Sequence, residues 1–186
     1  MEEAVSAMSE RESRWDVVMV ARWVKIVLLA GVQFYFLLVV LNNVADFNTN
    51  YDFVQHVLTM DTTIVGNHLM GRAIHAPAVW MAFYVGIILW EAMCAVLCAW
   101  GVVDLFAMRR GTAVEFAEAK RVGMVALTVG MLLWLVAFMS VGGEFFLMWQ
   151  SRVWNGEETA FRMFVVEAVV LGMLMMGEKQ GVGSRE

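Results

Sequence analysis

The sequence is poor in much that a water-soluble enzyme needs. Charged residues make up only 17% of its 186 residues, while 61% are hydrophobic, against roughly 25% charged in a typical soluble domain. A soluble chain of this length could not hide so much apolar surface from water, whereas a chain solvated by lipid does not need to. Proline is almost absent. Pro77 is the only one, which favours long uninterrupted helices over a meandering β fold. No basic run is interleaved with aromatics, so no nucleic-acid partner is expected. The net charge of −5 matters less than where the charges fall. Residues 1–22 lack an apolar core, so no cleavable signal peptide is expected there.

Cysteine is equally scarce. Cys94 and Cys98 are the only two, four apart within an apolar run. That spacing puts them on one face of a helix but too far apart for an undistorted disulfide. They are expected to pack as small core residues, with a metal pair or redox couple as the alternative. No serine, cysteine or lysine stands in a recognisable nucleophile setting, so covalent catalysis is not expected. None of the three histidines lies in an apolar run. The chain alone therefore cannot hold a bis-histidine haem within a bilayer, and no cofactor is expected.

Four apolar segments are present, at about 20–44, 78–106, 122–149 and 161–177. About 20 helical residues cross ~30 Å of hydrocarbon, so three of these are comfortable spans and the fourth is short. They predict an all-α fold, a four-helix transmembrane bundle over 20–177, with an N-terminal segment 1–19 and a tail 178–186. Arg11, Arg14, Arg22 and Lys25 precede or open the first span; Arg109, Arg110, Lys120 and Arg121 lie between the second and third; Lys179 and Arg185 follow the fourth. The other two connections hold only Arg72, Arg152 and Arg162. This asymmetry predicts that both termini and the middle connection are cytoplasmic. Trp15, Trp23, Trp80, Trp100, Trp149 and Trp154 fall near span ends, as an interfacial aromatic belt would. The middle connection is helix-prone, with Glu115 and Glu118 ahead of Lys120 and Arg121. It is expected to extend the third span, with modest support from charge pairs.

The first outer connection, 46–76, is long for so small a protein, and such connections tend to be functional. It carries apolar residues at helical spacing: Phe53, Val57 and Met60 share one face, Gln55 and Thr59 the other. A short helix on the outer membrane surface suits this pattern, with Asn50 or Asp52 capping its start and Asp61 with two threonines turning the chain after it. His56, His68 and His75 lie here, beside Asp46, Asp52 and Asp61. Ordinary hydrogen bonding is the plainer account of them. A metal site built on His56, Asp61 and Glu144 is the sharper one, because His and carboxylate ligands suit zinc, iron or copper. Glu144 follows Gly142 and Gly143, which allow a close helix approach. It is expected to pair with Arg72, Arg162 or His56.

Within the spans the ionisable list is short. Glu91 falls ~20 Å into the second span and Glu167 ~9 Å into the fourth, at ~1.5 Å per residue. Gln33 on the first span lies at a depth like that of Glu91. An intramembrane carboxyl is costly, so it is expected to be protonated or hydrogen-bonded, and it defaults to a functional hypothesis: a proton path, an ion site or a contact with another subunit. The alternative for Glu91 is a hydrogen bond to Gln33 that joins two helices. Glu167 is expected to lie shallower than Glu91 and not to touch it.

The runs LNNVADFNTNYDFVQHVLTMDTT, GGEFFLMWQS and WNGEETAFR resemble those of the bacterial "predicted small integral membrane protein" family, a group of unknown function. The resemblance covers about Trp23 to Gly177. It implies a multi-pass protein of the bacterial inner (cytoplasmic) membrane and places the family's signature on Asn42, Asn43, Asp46, His56, Asp61, Glu144, Trp149, Gln150, Trp154 and Asn155, at or near the outer face.

Three functions compete. The first is an accessory or assembly subunit of a larger membrane complex, favoured by an aromatic- and Met-rich surface suited to a protein partner in the membrane or to a homo-oligomer. The second is a small oligomeric transporter or channel using Gln33, Glu91 and Glu167. The third is an outer-face metal-binding protein or enzyme. Four-helix bundles host many functions, so architecture does not choose among them.

Overall fold

The computed structural model describes residues 2–177, with side chains from residue 17 onward. The expected tail 178–186 lies outside the described residues, as do the side chains of most of the 1–19 segment. Among the described residues every regular element is helical. Helix α1 spans Glu2–Ala45, α2 Phe47–Thr59, α3 Pro77–Ala107, α4 Ala113–Leu132 and α5 Glu157–Met175. Single 3₁₀ turns occur at Met70–Arg72 and Met148–Gln150. Helix α4 runs on without a break as a π-helix, Leu133–Phe145.

Three stretches are long and apolar enough to cross a membrane: Val17–Ala45, Pro77–Ala107 and Ala113–Phe145. Composition explains them, since each offers well over the ~20 residues a bilayer requires. The third ends at Phe145, short of the expected Trp149, because Leu147 turns the chain in a left-handed conformation (φ 55°). The expected fourth span, 161–177, falls on α5 except for its last two residues; α5 bears Glu157, Glu158, Arg162 and Glu167 and is not among the three. Even so, α5 packs along α4, the π-helix and α1.

The bundle core joins Leu29, Phe36, Cys94, Cys98, Leu127, Trp134 and Leu174. Cys94 and Cys98 are unpaired and fully buried, as their expected packing role requires. Helices α3 and α4 approach closely at Gly101 and Gly123, where a Cβ on Gly101 would come within 2.7 Å of the Gly123 backbone. Small residues at a membrane helix crossing permit such contact.

A second core lies above one end of the bundle and forms a cap. Val54, Val57, Leu58 and Met60 pack there against Tyr84, Phe146, Leu147 and Met148. The backbone of Ile74 donates to the Leu58 carbonyl (2.8 Å), fixing the returning chain to α2. The apolar face expected on α2 therefore exists but is covered by protein. Its limits differ from the expected ones. Asp46 occupies the N-cap without a side-chain cap bond, in place of Asn50 or Asp52. Thr59, expected on the polar face, is buried, and its hydroxyl donates back to the Gln55 carbonyl (2.9 Å). The chain leaves α2 through Met60 in a left-handed conformation (φ 55°), closed by the Thr63 hydroxyl on the Met60 carbonyl.

At the opposite end, basic side chains tie the helix ends together. Arg22 donates to the carbonyls of Arg109 and Gly111 (2.9 and 2.7 Å). Lys25 and Lys120 both donate to the Met176 carbonyl (2.8 and 3.0 Å), satisfying the exposed carbonyl end of α5 with positive charge. Of the expected charge pairs only Glu118–Arg121 forms, at 3.4 Å. Lys120 turns inward, because the carbonyls at the end of α5 lie within its reach. The extension of the third span is present, and Thr112 and Glu115 close its start as a reciprocal capping box.

Candidate functional site

Where the cap meets the bundle, a partly open cavity of about 330 Å³ is bordered by α1, α2, α3, the π-helix and the start of α5. Its polar groups are Asn43, Asn50, Tyr84, Glu91, Trp134, Asn155 and Thr159. Glu91 is only 2% exposed. Its Oε2 accepts a 2.6 Å hydrogen bond from the Asn43 amide, and the Tyr84 hydroxyl donates to the Asn43 carbonyl (3.0 Å). Asn43 thus links α1 to two positions on α3. Among the described residues Glu91 is the only acidic or basic side chain on the cavity wall apart from the Tyr84 phenol.

The partner of Glu91 is therefore Asn43 and not Gln33, which is half-buried on α1. The expected depths were misjudged because α3 does not begin at the bundle. Its first turns stand in the cap, where Trp80 donates to the Ile74 carbonyl (2.7 Å) and Tyr84 packs on Phe47. Counting from Pro77 consequently set Glu91 too deep. Glu167 lies farther from the cap. Its carboxyl lies beside Gly130, where an added Cβ would also meet the Phe36 ring, and Phe36 precedes Asn43 by roughly 10 Å of helix at ~1.5 Å per residue. The expectation that Glu167 is shallower than Glu91 is thereby corrected.

Glu167 is fully buried, and its Oε1 accepts from the Trp134 indole (2.7 Å). Its Oε2 has no hydrogen-bond partner among the described residues. The carboxyl fits only because Gly130 has no side chain: a Cβ there would overlap it. Trp134 also stacks on Phe36 and packs against Phe138, with ring centroids 6.3 and 5.2 Å away. Residues four apart share a helix face, so Trp134 and Phe138 both reach the cavity. The hydrogen bonds of this π-helical stretch span five residues, as in Phe146 N–H to the Val141 carbonyl. π-Helical turns of this kind are concentrated at functional sites.

The residues expected at the outer face divide into several places. His56 Nδ1 lies 2.7 Å from Asp61 Oδ2, and the imidazole stacks on Trp154 at 4.5 Å. The Gln150 side-chain carbonyl accepts from the Ile64 backbone (3.0 Å), and the Thr62 hydroxyl donates to Ser151 (2.9 Å). These bonds tie the two cap connections to each other. Asn155 accepts from the Glu157 backbone at the start of α5 (3.0 Å) and lines the cavity. Asn42, Asp46 and Trp149 are exposed and do not join the cavity wall.

Glu144 is apart from His56 and Asp61. It shares an open cleft with Glu157 and Glu158, and among the described residues no three metal-binding side chains come together. The metal site on His56, Asp61 and Glu144 is therefore not assembled. The expected salt bridge of Glu144 is also missing among the described residues, because Arg72 turns instead to the Phe145 carbonyl (3.1 Å) and its ring. Partial burial, and then the neighbouring Glu144 charge, push the Glu157 carboxyl above its ordinary value. Gly143 does make the expected close approach, since a Cβ there would overlap the Glu157 carboxyl.

Sequence reasoning passed over Asn50, Tyr84, Trp134 and Thr159. Trp134 carried a usable signal, as an indole N–H in mid-span must find an acceptor. The others depend on how α2 and α5 meet, which spacing does not reveal.

Residues 21–177 match the family described as "Predicted small integral membrane protein (DUF2165)", and the chain belongs to that family. Neither a curated protein nor a solved structure matches it. It is an integral membrane protein with apolar membrane-spanning helices.

Proposed function

We propose that this protein binds a small molecule in the cavity around Glu91 and carries it across or into the membrane, a small transporter built on an intramembrane carboxyl. One observation carries the reading: Glu91, on an apolar spanning helix, lines a cavity of about 330 Å³ and holds its carboxyl in place with Asn43. That volume is in the range of sites for small ligands, and intramembrane ionisable groups facing a cavity mark substrate or ion pathways. In this reading α5 is the fourth crossing helix, its first turn lying beside the cap. The basic end faces the cytoplasm of a bacterial cell and the cap faces outward, with α2 at the outer membrane surface. As four helices enclose little space, the working unit is an oligomer.

Vesicles reconstituted with the full chain and loaded with a mixture of labelled small metabolites test this. Release of each compound is followed by mass spectrometry for wild type and Glu91→Gln. At least one compound should leave faster than from protein-free vesicles, and the substitution should slow it at least tenfold. Equal release from wild-type and empty vesicles would end the transport reading; equal release from wild type and variant would remove Glu91 from the path.

The cap tip favours a second reading. Ile64 and Val65 are exposed there, Val65 completely, with Leu69 and Met70 nearby. Exposed apolar residues outside the spans suit an accessory subunit that docks on a larger membrane complex. The vesicle experiment separates the two, because an accessory subunit alone releases nothing.

A further inference from the structure

Taking the cavity as a ligand site, we infer that its ligand is a small organic cation, an ammonium or similar amine whose charge pairs with Glu91. Charge comes first. Among the described residues Glu91 is the only ionisable acid or base on the wall besides the Tyr84 phenol, and no lysine, arginine or histidine among them compensates it there. Asn43 occupies Oε2, while Oε1 has no hydrogen-bond partner among the described residues. With a neutral or anionic ligand the buried carboxyl would have to keep its proton or stand without a counter-charge, which is costly. A cation completes it.

The walls then select among cations. Phe53, Tyr84, Trp134 and Phe138 line the cavity, and aromatic faces attract ammonium groups through the ring quadrupole. A bare metal ion finds no match. Calcium or magnesium requires about six or more oxygens at roughly 2.0–2.6 Å, and among the described residues no cluster of three metal-binding side chains exists. The space is also too large for one. A single water needs only ~10–15 Å³ of such space, against about 330 Å³ here. Asn50 on α2, with Asn155 and Thr159 at the start of α5, adds both donors and acceptors, suited to a hydroxyl or amide elsewhere on the ligand.

Equilibrium binding to the purified full chain in mild detergent tests the inference. The probes are choline and tetramethylammonium, the uncharged choline isostere 3,3-dimethyl-1-butanol, and 3,3-dimethylbutanoate as the anion. A cationic probe should bind at least tenfold more tightly than the neutral and anionic ones. Glu91→Gln should abolish that preference and Glu91→Asp retain it. Thr159→Trp, which fills the cavity from its exposed edge, should weaken all binding. Thermal midpoints verify that each variant is folded; should Glu91→Gln fail to fold, the comparison of choline with its isostere on wild type decides. Equal affinity for choline and the isostere, lost in Thr159→Trp but indifferent to Glu91→Gln, would overturn the cation and leave the cavity a ligand site. Failure of every probe to bind folded wild type would also overturn the cation, and the vesicle experiment would then judge the cavity separately.

Discussion

Glu91 and Glu167 are carboxyls within one bundle, yet their surroundings give them different tasks. Glu91 keeps one oxygen for Asn43 and borders open space. Glu167 is enclosed between Trp134 and the notch at Gly130, with one oxygen unsatisfied. A buried polar atom stripped of its partner costs about 1–3 kcal/mol. Asn43→Ala should thus lower the thermal midpoint in detergent, and Gln33→Ala, which removes no bond to Glu91, should have little effect. Comparable losses in the two variants would contradict the assignment of Asn43 as partner. Both carboxyls were legible in the sequence as rare charges inside apolar runs. Their partners were not, because hydrogen bonding depends on helix rotation and register.

At the scale of elements, glycines set how closely the helices pack. Gly101 and Gly123 bring α3 against α4, and the π-helical stretch Leu133–Phe145 contributes Trp134 and Phe138 to the cavity wall. A methyl group at Gly101 would meet backbone, which cannot move aside as a flexible side chain can. Overpacking of this kind typically costs roughly 1–3 kcal/mol, so Gly101→Ala should lower the midpoint clearly. Gly86→Ala, where nothing lies within 4 Å of the added Cβ, serves as the control in the same apolar helix. Equal midpoints for the two variants would show that the helices separate freely. The existence of α1, α3 and α4 was plain from apolar length. The π-helix was not, since its residues are those of any apolar membrane helix and only the hydrogen-bond spacing distinguishes it.

For the molecule as a whole, the cap and the basic end define opposite poles. Introduced cysteines at Val65 and Arg110, both exposed, test their placement in intact bacteria. A membrane-impermeant maleimide should label Val65→Cys directly and Arg110→Cys only after permeabilisation. Cys94 and Cys98, fully buried, should contribute little background. The reverse pattern would invert the topology.

Apolar content and charge placement already determined that this chain is helical, enters a membrane and carries few intramembrane carboxyls, because length and composition decide partitioning into lipid residue by residue. They also placed a helix in the 46–76 connection. Only the tertiary structure decided that this helix caps the bundle, that α3 rises into the cap, that His56 and Glu144 lie apart, and that Glu91 meets Asn43 beside a cavity. Those facts follow from how helices rotate, tilt and interlock, and contacts between distant segments leave no period in the sequence.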